Sequence, residues 1–395
     1  MKKKLIIFAI LAAVLLAGCA QSTAANSPQT ASSETNAAAL MNETAEGTQD
    51  TPNAETDTAA AAENSQDEDG TLRIAKQGMF SAGGTVTDPV PGEYDETKNW
   101  QDSTRAGNTM HVDHANVFYQ IPENDNGNPI VFLHGAGQSR MGWMTTPDGR
   151  EGWSDIFLKA GHSIFLVDQP RRGEAGQTAE GPVDTVAGDQ AWYTHFRIGR
   201  IAPERYENSQ FPEGDEAQDQ FFRQMTPNTG EYDQEMIAEA MDAVLKKVYE
   251  MTGHKSILVT HSQGGLVGWD VSLDYVSAIV AVEPGIAPAE QMMPEAWNKF
   301  MTLESKVPVI FYYGDNIDNG PEDIDSTAFW QMSRNTCVAF SEAYNAAGGD
   351  AAVIDLPKEG IYGNSHFLFQ ELNNKEIADH VEAWLAKQGL TSQKN

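Results

Sequence analysis

A series of short apolar runs punctuates the chain, and each stops at polar or glycine-rich residues. Residues 129–133 end in His134-Gly135-Ala136-Gly137, residues 163–167 end at Asp168, and residues 256–259 lead into Thr260-His261-Ser262. Residues 276–282 end at Glu283-Pro284-Gly285, residues 307–313 end at Gly314-Asp315, and residues 351–356 close the series. Unbroken apolar runs of this length predict strands buried on both faces, the mark of a parallel sheet covered by helices. Two helices are legible between them. Met236, Ala240, Met241, Val244, Leu245 and Val248 recur at helical spacing before one run, and Ile377, Val381, Trp384 and Leu385 do so near the C-terminus. Upstream, glycine- and proline-rich turns around Gly83-Gly84 and Pro91-Gly92 precede a strand-like stretch over 116–121. Between about 181 and 230 the pattern breaks into an aromatic, polar and proline-punctuated region with no obvious strand, which reads as an insertion over one end of the sheet.

The first seventy residues follow a different rule. Lys2, Lys3 and Lys4 precede the apolar residues 5–16, and Ala17-Gly18-Cys19 follows, the pattern of a secretory signal that is too short to span a bilayer permanently. The ending Leu16-Ala17-Gly18-Cys19 resembles the bacterial lipobox, which implies cleavage after residue 18 and lipidation of Cys19. Residues 20–71 contain no Lys, Arg or aromatic side chain, and only Leu40 and Met41 are large apolar residues. Nothing there offsets the entropy of ordering, so residues 19–71 are expected to form a disordered acidic tether that spans roughly 40 Å. A single domain over 72–395 remains, exported to the cell envelope and held at the membrane by the anchor.

The whole chain of 395 residues carries 26 basic and 57 acidic side chains, a net charge of −31. That balance argues against nucleic acid as a partner, because phosphate neutralisation needs the opposite sign. Of the two cysteines, Cys19 is claimed by the anchor, so Cys337 has no intramolecular partner and is read as a small buried hydrophobe.

Candidate chemistry gathers where the strands end, since reactive groups in open parallel sheets collect at the carboxyl ends. Ser262 follows a strand and precedes Gln263-Gly264-Gly265, so the chain must turn abruptly into a helix and hold the hydroxyl above the sheet. A serine hydroxyl is a poor nucleophile alone and requires a histidine base oriented by a carboxylate.

The strand, the Thr260-His261-Ser262-Gln263-Gly264 turn, the His134-Gly135 loop and a late histidine together resemble the α/β-hydrolase superfamily. The usual elbow is Gly-x-Ser-x-Gly, and here Thr260 replaces the first glycine. A group of bacterial esterases in that superfamily lacks this glycine and takes its acid, a glutamate, after the sixth strand. Glu283 matches that position, residues 360–366 resemble the group's histidine loop, and Thr194-His195-Phe196-Arg197-Ile198-Gly199 resembles a segment of its insertion. Asp315, at the end of the next strand, remains the alternative acid. Among nine histidines, His366 lies on a loop between the last strand and the last helix and gives the chain order Ser262, Glu283, His366; His195 in the insertion is its rival. His261 is expected to point away from the serine and to pack or hydrogen-bond nearby.

The resemblance implies an oxyanion hole made by the N–H groups of Gln263 and Ala136, and a serine hydrolase of the carboxylic ester type. An amidase or lipase on the same fold, or a ligand-binding lipoprotein without catalysis, are the alternatives. Trp192, Phe196 and Phe222 are expected to shape an apolar substrate pocket for small or hydrophobic esters. The glycine loop lacks the Gly-Lys-Ser/Thr ending of a phosphate-binding loop, and no ligand spacing suits zinc or calcium, so no cofactor and no metal are expected. The resemblance is compatible with a homodimer.

Overall fold

The computed structural model describes residues 71–391 apart from 99, 102 and 182–187. The export signal, Cys19 and the tether up to residue 70 lie outside the described residues. In chain order the strands are β1 (Ile74–Ala82), β2 (Thr85–Val86), β3 (His111–Val112), β4 (Ala115–Pro122), β5 (Ile130–Leu133), β6 (Ile164–Asp168), β7 (Gly199–Ile201), β8 (Glu204–Arg205), β9 (Ser256–His261), β10 (Val276–Val282), β11 (Val309–Tyr313) and β12 (Ala351–Asp355). The α-helices are α1 (Met141–Met144), α2 (Trp153–Lys159), α3 (Asp189–His195), α4 (Asp215–Arg223), α5 (Gln234–Thr252), α6 (Gln263–Asp270), α7 (Pro294–Thr302), α8 (Asp325–Ala346) and α9 (Asn374–Lys387).

Eight strands form one sheet in the order β1-β4-β6-β5-β9-β10-β11-β12. From β6 through β12 all neighbours are parallel, whereas β1 and β4 join antiparallel at one edge. Every residue of β5, β6, β9 and β11 is buried, as continuous apolar runs require when helices cover both faces. The register brings the strand ends level: Leu133 pairs with Thr260, Val282 with His261, and Val282 also with Tyr312. The loops after β5, β9, β10 and β11 therefore open side by side.

Helix α5 shows how local sequence sets the frame. The Asp233 side chain accepts from the Met236 N–H at 3.1 Å, and Gly253 closes the helix at φ +76°. Between these caps Ile237, Ala240, Met241, Val244, Leu245 and Val248 are buried. Each of the larger side chains among them stabilises the fold by about 1.5–3 kcal/mol. Cys337 is buried in α8 with Sγ 3.2 Å from Tyr313 Oη, and burial pushes its thiol up to about 12, so it behaves as a small core residue. No helix among the described residues is long and apolar enough to cross a membrane.

Two elements depart from the sequence pattern. β1 falls where only turns were expected after Arg73; it is an edge strand paired with β4 alone, and its largely exposed faces carry no continuous apolar run. The insertion, expected to lack strands, contains the two-stranded ribbon β7–β8, too short for periodicity to register.

Candidate active site

Ser262 sits between β9 and α6 with φ +53° and ψ −120°, a backbone conformation that side chains adopt only under constraint. The constraint is visible in its main chain: Ser262 N–H donates to Val282 O at 3.1 Å, and Ser262 O accepts from Gly265 N–H at 2.9 Å and Gly285 N–H at 3.2 Å. α6 then crosses close above the sheet. A Cβ on Gly264 would stand 2.5 Å from His134 O, so only glycine allows that approach. The bulk of Thr260 is absorbed on the same helix, because a Cβ on Gly268 would come within 3.0 Å of Thr260 Cγ2. The glycine that is missing from the strand side of the elbow is thus supplied from the helix side.

His366 and Glu283 are both fully buried, and the imidazole Nδ1 lies 2.6 Å from Glu283 Oε2. The second carboxylate oxygen accepts from Gly314 N–H at 2.7 Å and from Arg197 Nη2 at 2.5 Å. With Nδ1–H directed at a carboxylate, the lone pair of the neutral ring resides on Nε2, which has no hydrogen-bond partner among the described residues. Ser262 and His366 are therefore not hydrogen-bonded to each other among the described residues. Burial, followed by the Arg197 cation, holds the His366 imidazole well below its ordinary value, so the ring is neutral near pH 7. It lies stacked on Phe196 (4.6 Å, 9° between planes) and tilted against Trp330 at 4.3 Å.

Asp315 is placed differently. Its Oδ2 accepts from Gly363 N–H at 2.9 Å and its Oδ1 from Asn316 N–H at 2.6 Å, so it grips the histidine loop by its main chain and not the imidazole. His195, the rival base, packs against Phe196, Phe329 and Trp330. Burial lowers it to about 4, and no carboxylate contacts its ring among the described residues.

Ala136 and Gln263 flank the serine from the β5 loop and the start of α6. The Ala136 main-chain N–H donates no main-chain hydrogen bond among the described residues. The two sides are fastened to each other by Arg172, whose Nη1 donates to Gly135 O at 3.0 Å and whose Nη2 donates to Gln263 Oε1 at 2.7 Å. Gln138 closes the loop by accepting from Gly135 N–H at 3.1 Å, and it meets His261 Nδ1 at 2.7 Å. His261 reaches the His366 main-chain O through Nε2 at 3.0 Å, so it does pack and hydrogen-bond beneath the site. His134 is a buried strut whose Nε2 accepts from Gln169 N–H at 3.2 Å; burial lowers it to about 3.

The three aromatic residues expected in a pocket have three different placements. Trp192 lines a narrow cleft beside the oxyanion loop, together with Gly137, Phe221, Met225, Phe367 and Gln370. Its accessible volume is about 10 Å³, room for one water. Phe196 covers the imidazole instead, and it also accepts from His366 N–H through its main-chain O at 3.1 Å. Phe222 is half-buried off the cleft, because α4 turns its neighbour Phe221 inward. Among the described residues no group of His, Cys, Asp and Glu side chains could hold a metal ion.

The contributions of Arg197 and Arg172 escaped the sequence. The segment containing Arg197 was marked by resemblance, but its contact with Glu283 spans 86 residues and appears only once the insertion folds back over β10. For Arg172, its position just beyond the Asp168 strand end was the only signal.

Comparison with known proteins agrees with this fold. The model of a family described as "Alpha/beta hydrolase family" matches residues 130–391. A protein of Fungal sp. (strain ATCC 74256) called "Probable secreted lipase phiG" is 28% identical over 306 residues, covering 66% of this chain and 82% of its own length. The solved structure titled "The Atomic Resolution Structure of a Novel Bacterial Esterase" superposes with a TM-score of 0.65 at 28% identity, covering 80% of this chain and 97% of that one.

Proposed function

The chain belongs to the alpha/beta hydrolase family, and from that premise we propose that it is a carboxylic ester hydrolase working through Ser262, His366 and Glu283. The observation that carries this reading is the 2.6 Å contact between His366 Nδ1 and Glu283 Oε2 beside a serine held at φ +53° on a strand-to-helix turn. Ser262 Oγ attacks the ester carbonyl while His366 Nε2 takes the hydroxyl proton. The carbonyl electron pair moves onto oxygen, where the N–H groups of Ala136 and Gln263 receive it. Collapse of the tetrahedral adduct expels the alcohol, protonated by the imidazolium, and leaves an acyl-serine. A water molecule, deprotonated by the same imidazole, then releases the acid and restores Ser262. Glu283 stabilises the imidazolium formed in each half, and Arg197 neutralises the second carboxylate oxygen.

The names of both relatives, an esterase and a secreted lipase, support ester chemistry, and the second supports export. The signal at 1–18 and the lipobox cysteine extend this to anchoring of Cys19 at the cell envelope, with residues 19–71 as tether and 72–395 as the catalytic domain. Cys19→Ser in cells should abolish incorporation of labelled fatty acid into the protein.

The direct test is hydrolysis of p-nitrophenyl acetate by native protein, Ser262→Ala, Glu283→Ala and Asp315→Ala. Loss of turnover in the first two variants with retention in the third sustains the proposal. Inert native protein, also unlabelled by a fluorophosphonate, leaves the chain as a ligand-binding member of the family.

A further inference from the structure

Gly363, Ser365 and His366, on the loop that delivers the imidazole, all have their main-chain N–H groups engaged. Gly363 N–H is held by Asp315 Oδ2 at 2.9 Å and His366 N–H by Phe196 O at 3.1 Å. Ser365 N–H, immediately before the histidine, is shared by both oxygens of a second carboxylate, Glu371, at 2.9 and 3.0 Å. Asn364 Nδ2 donates to the same carboxylate at 2.8 Å and to Asn373 Oδ1 at 2.7 Å, and Asn373 Nδ2 returns a bond to Asn364 Oδ1 at 3.0 Å.

Glu371 is fully buried, and the mechanism above gives it no task. Its carboxylate has no cationic partner among the described residues. Arg150 donates to the main-chain O of Glu371 and of Leu372, to Asn374 Oδ1 and to Asp148, so its guanidinium serves the backbone and a different acid. The other ionisable group bearing on it is the Glu283 carboxyl.

We propose that Glu371 is a positioning residue for ester turnover: through Ser365 N–H and the Asn364 amide, its charged carboxylate sets the backbone from which His366 reaches Glu283. The inference rests on the esterase proposal. An ionised carboxylate accepts every donor around it, the Ser365 hydroxyl included, whereas a protonated one leaves a single neutral oxygen, Oε2, to hold both Ser365 N–H and Asn364 Nδ2. Neutral hydrogen bonds grip the loop about half as strongly as charged ones, so the loop loosens, and a displacement near 1 Å at a catalytic group lowers turnover by about 10²-fold. Burial first, then the Glu283 charge, raises Glu371 to about 7, so this loss is centred near neutrality, where His366 is still unprotonated.

The experiment is the pH dependence of kcat and KM for p-nitrophenyl acetate between pH 5 and 9, using the full chain, Glu371→Gln and Glu371→Asp. Gln keeps the shape and can satisfy the same neighbours if the Asn364–Asn373 pair flips together, and Asp keeps the charge on a shorter stem. The expected native profile shows a step in kcat near pH 7 with little change in KM. Glu371→Gln loses that step and has kcat lowered about tenfold at pH 8, while Glu371→Asp keeps the step. A native profile without a step near neutrality, or a Gln profile superimposable on it, overturns the inference and leaves the esterase intact. Should the Gln variant not fold, the native step and its retention in the Asp variant decide. Native protein inert towards esters at every pH removes the esterase reading itself, a result distinct from loss of the step alone.

Discussion

Arg197 reaches out of the insertion to place Nη2 2.5 Å from the Glu283 carboxylate whose other oxygen meets His366. Its Nε meanwhile donates to Asp315 O at 3.0 Å, and its guanidinium lies 5.1 Å from the Trp330 ring centre. One buried cation thus ties the insertion to the ends of both candidate acid strands. The insertion is therefore tied to the strand ends that carry Glu283 and Asp315, and does not only cover them.

The two acids should separate under substitution. Glu283→Gln removes the charge that stabilises the imidazolium and presents an amide to Nδ1–H, and kcat should fall by about 10³–10⁴-fold. Asp315→Asn keeps an oxygen for Gly363 N–H, so the loss should stay within about tenfold, the worth of one weakened hydrogen bond. Steady-state hydrolysis of p-nitrophenyl acetate measures both. Equal losses would contradict the separation of roles seen in the hydrogen bonds.

Removing the Arg197 cation should move the acid limb of the pH–rate profile. Burial is the main cause of the low His366 value and Arg197 is the next, acting as a like charge on the imidazolium. Arg197→Met takes that repulsion away, so His366 binds its proton more readily and the acid limb of kcat/KM shifts to higher pH. Arg197→Lys, which keeps the charge but not the fork, should lie between. A lower rate with an unmoved acid limb would mean that Arg197 acts through packing alone.

Much of the frame is legible in the sequence because burial on both faces leaves unbroken apolar runs, and strand ends then mark where Ser262, Glu283, Asp315 and the His134 loop converge. β1 is not legible, since an edge strand paired on one side leaves Lys76, Gln77 and Met79 exposed and breaks the pattern. The meeting of His366 with Glu283 rather than Asp315 depends on how the histidine loop descends, and Asp315 itself fixes that descent by holding Gly363 N–H. Phe221 and Phe222 differ by one helical step, which composition cannot resolve. Arg197 and Glu371 act through tertiary contacts whose partners no local spacing announces.

Gly135 should tolerate no side chain. A Cβ there would stand 2.8 Å from Ser262 Cβ and 2.9 Å from Gln138 Oε1, between the nucleophile and the loop expected to donate Ala136 N–H. Gly135→Ala must push the loop away from the elbow, and loss of an oxyanion donor lowers kcat by about 10²-fold or more. The measurement is kcat together with the rate of fluorophosphonate labelling, which needs the same oxyanion contacts. Normal labelling would show that the loop has room to yield.

Stability should fall as pH drops below neutrality, and the buried histidines set the sign. Burial is the main cause that lowers His134 to about 3, His195 to about 4, and His261 and His366 well below their ordinary range. His134 and His195 are neutral in the folded chain at pH 5 and His261 and His366 are displaced in the same direction, whereas the unfolded chain protonates histidine below about 6.5. The unfolded state then binds more protons, so the stability these residues contribute is full above pH 6.5 and is lost as pH falls towards their folded values. Glu371 opposes them: raised to about 7 from an ordinary 4.5, it holds a proton between those values that the unfolded chain releases, and it adds stability as pH falls through that window. Four groups outweigh one. Urea unfolding of the folded domain should therefore show a free energy declining from pH 7.5 to pH 5 by several kcal/mol, on the order of 1 kcal/mol per histidine per pH unit below 6.5. His134→Gln removes one of the four, lies away from Glu283, and should make the decline visibly shallower. A slope unchanged by that substitution would show that His134 already shares its proton with solvent in the native fold.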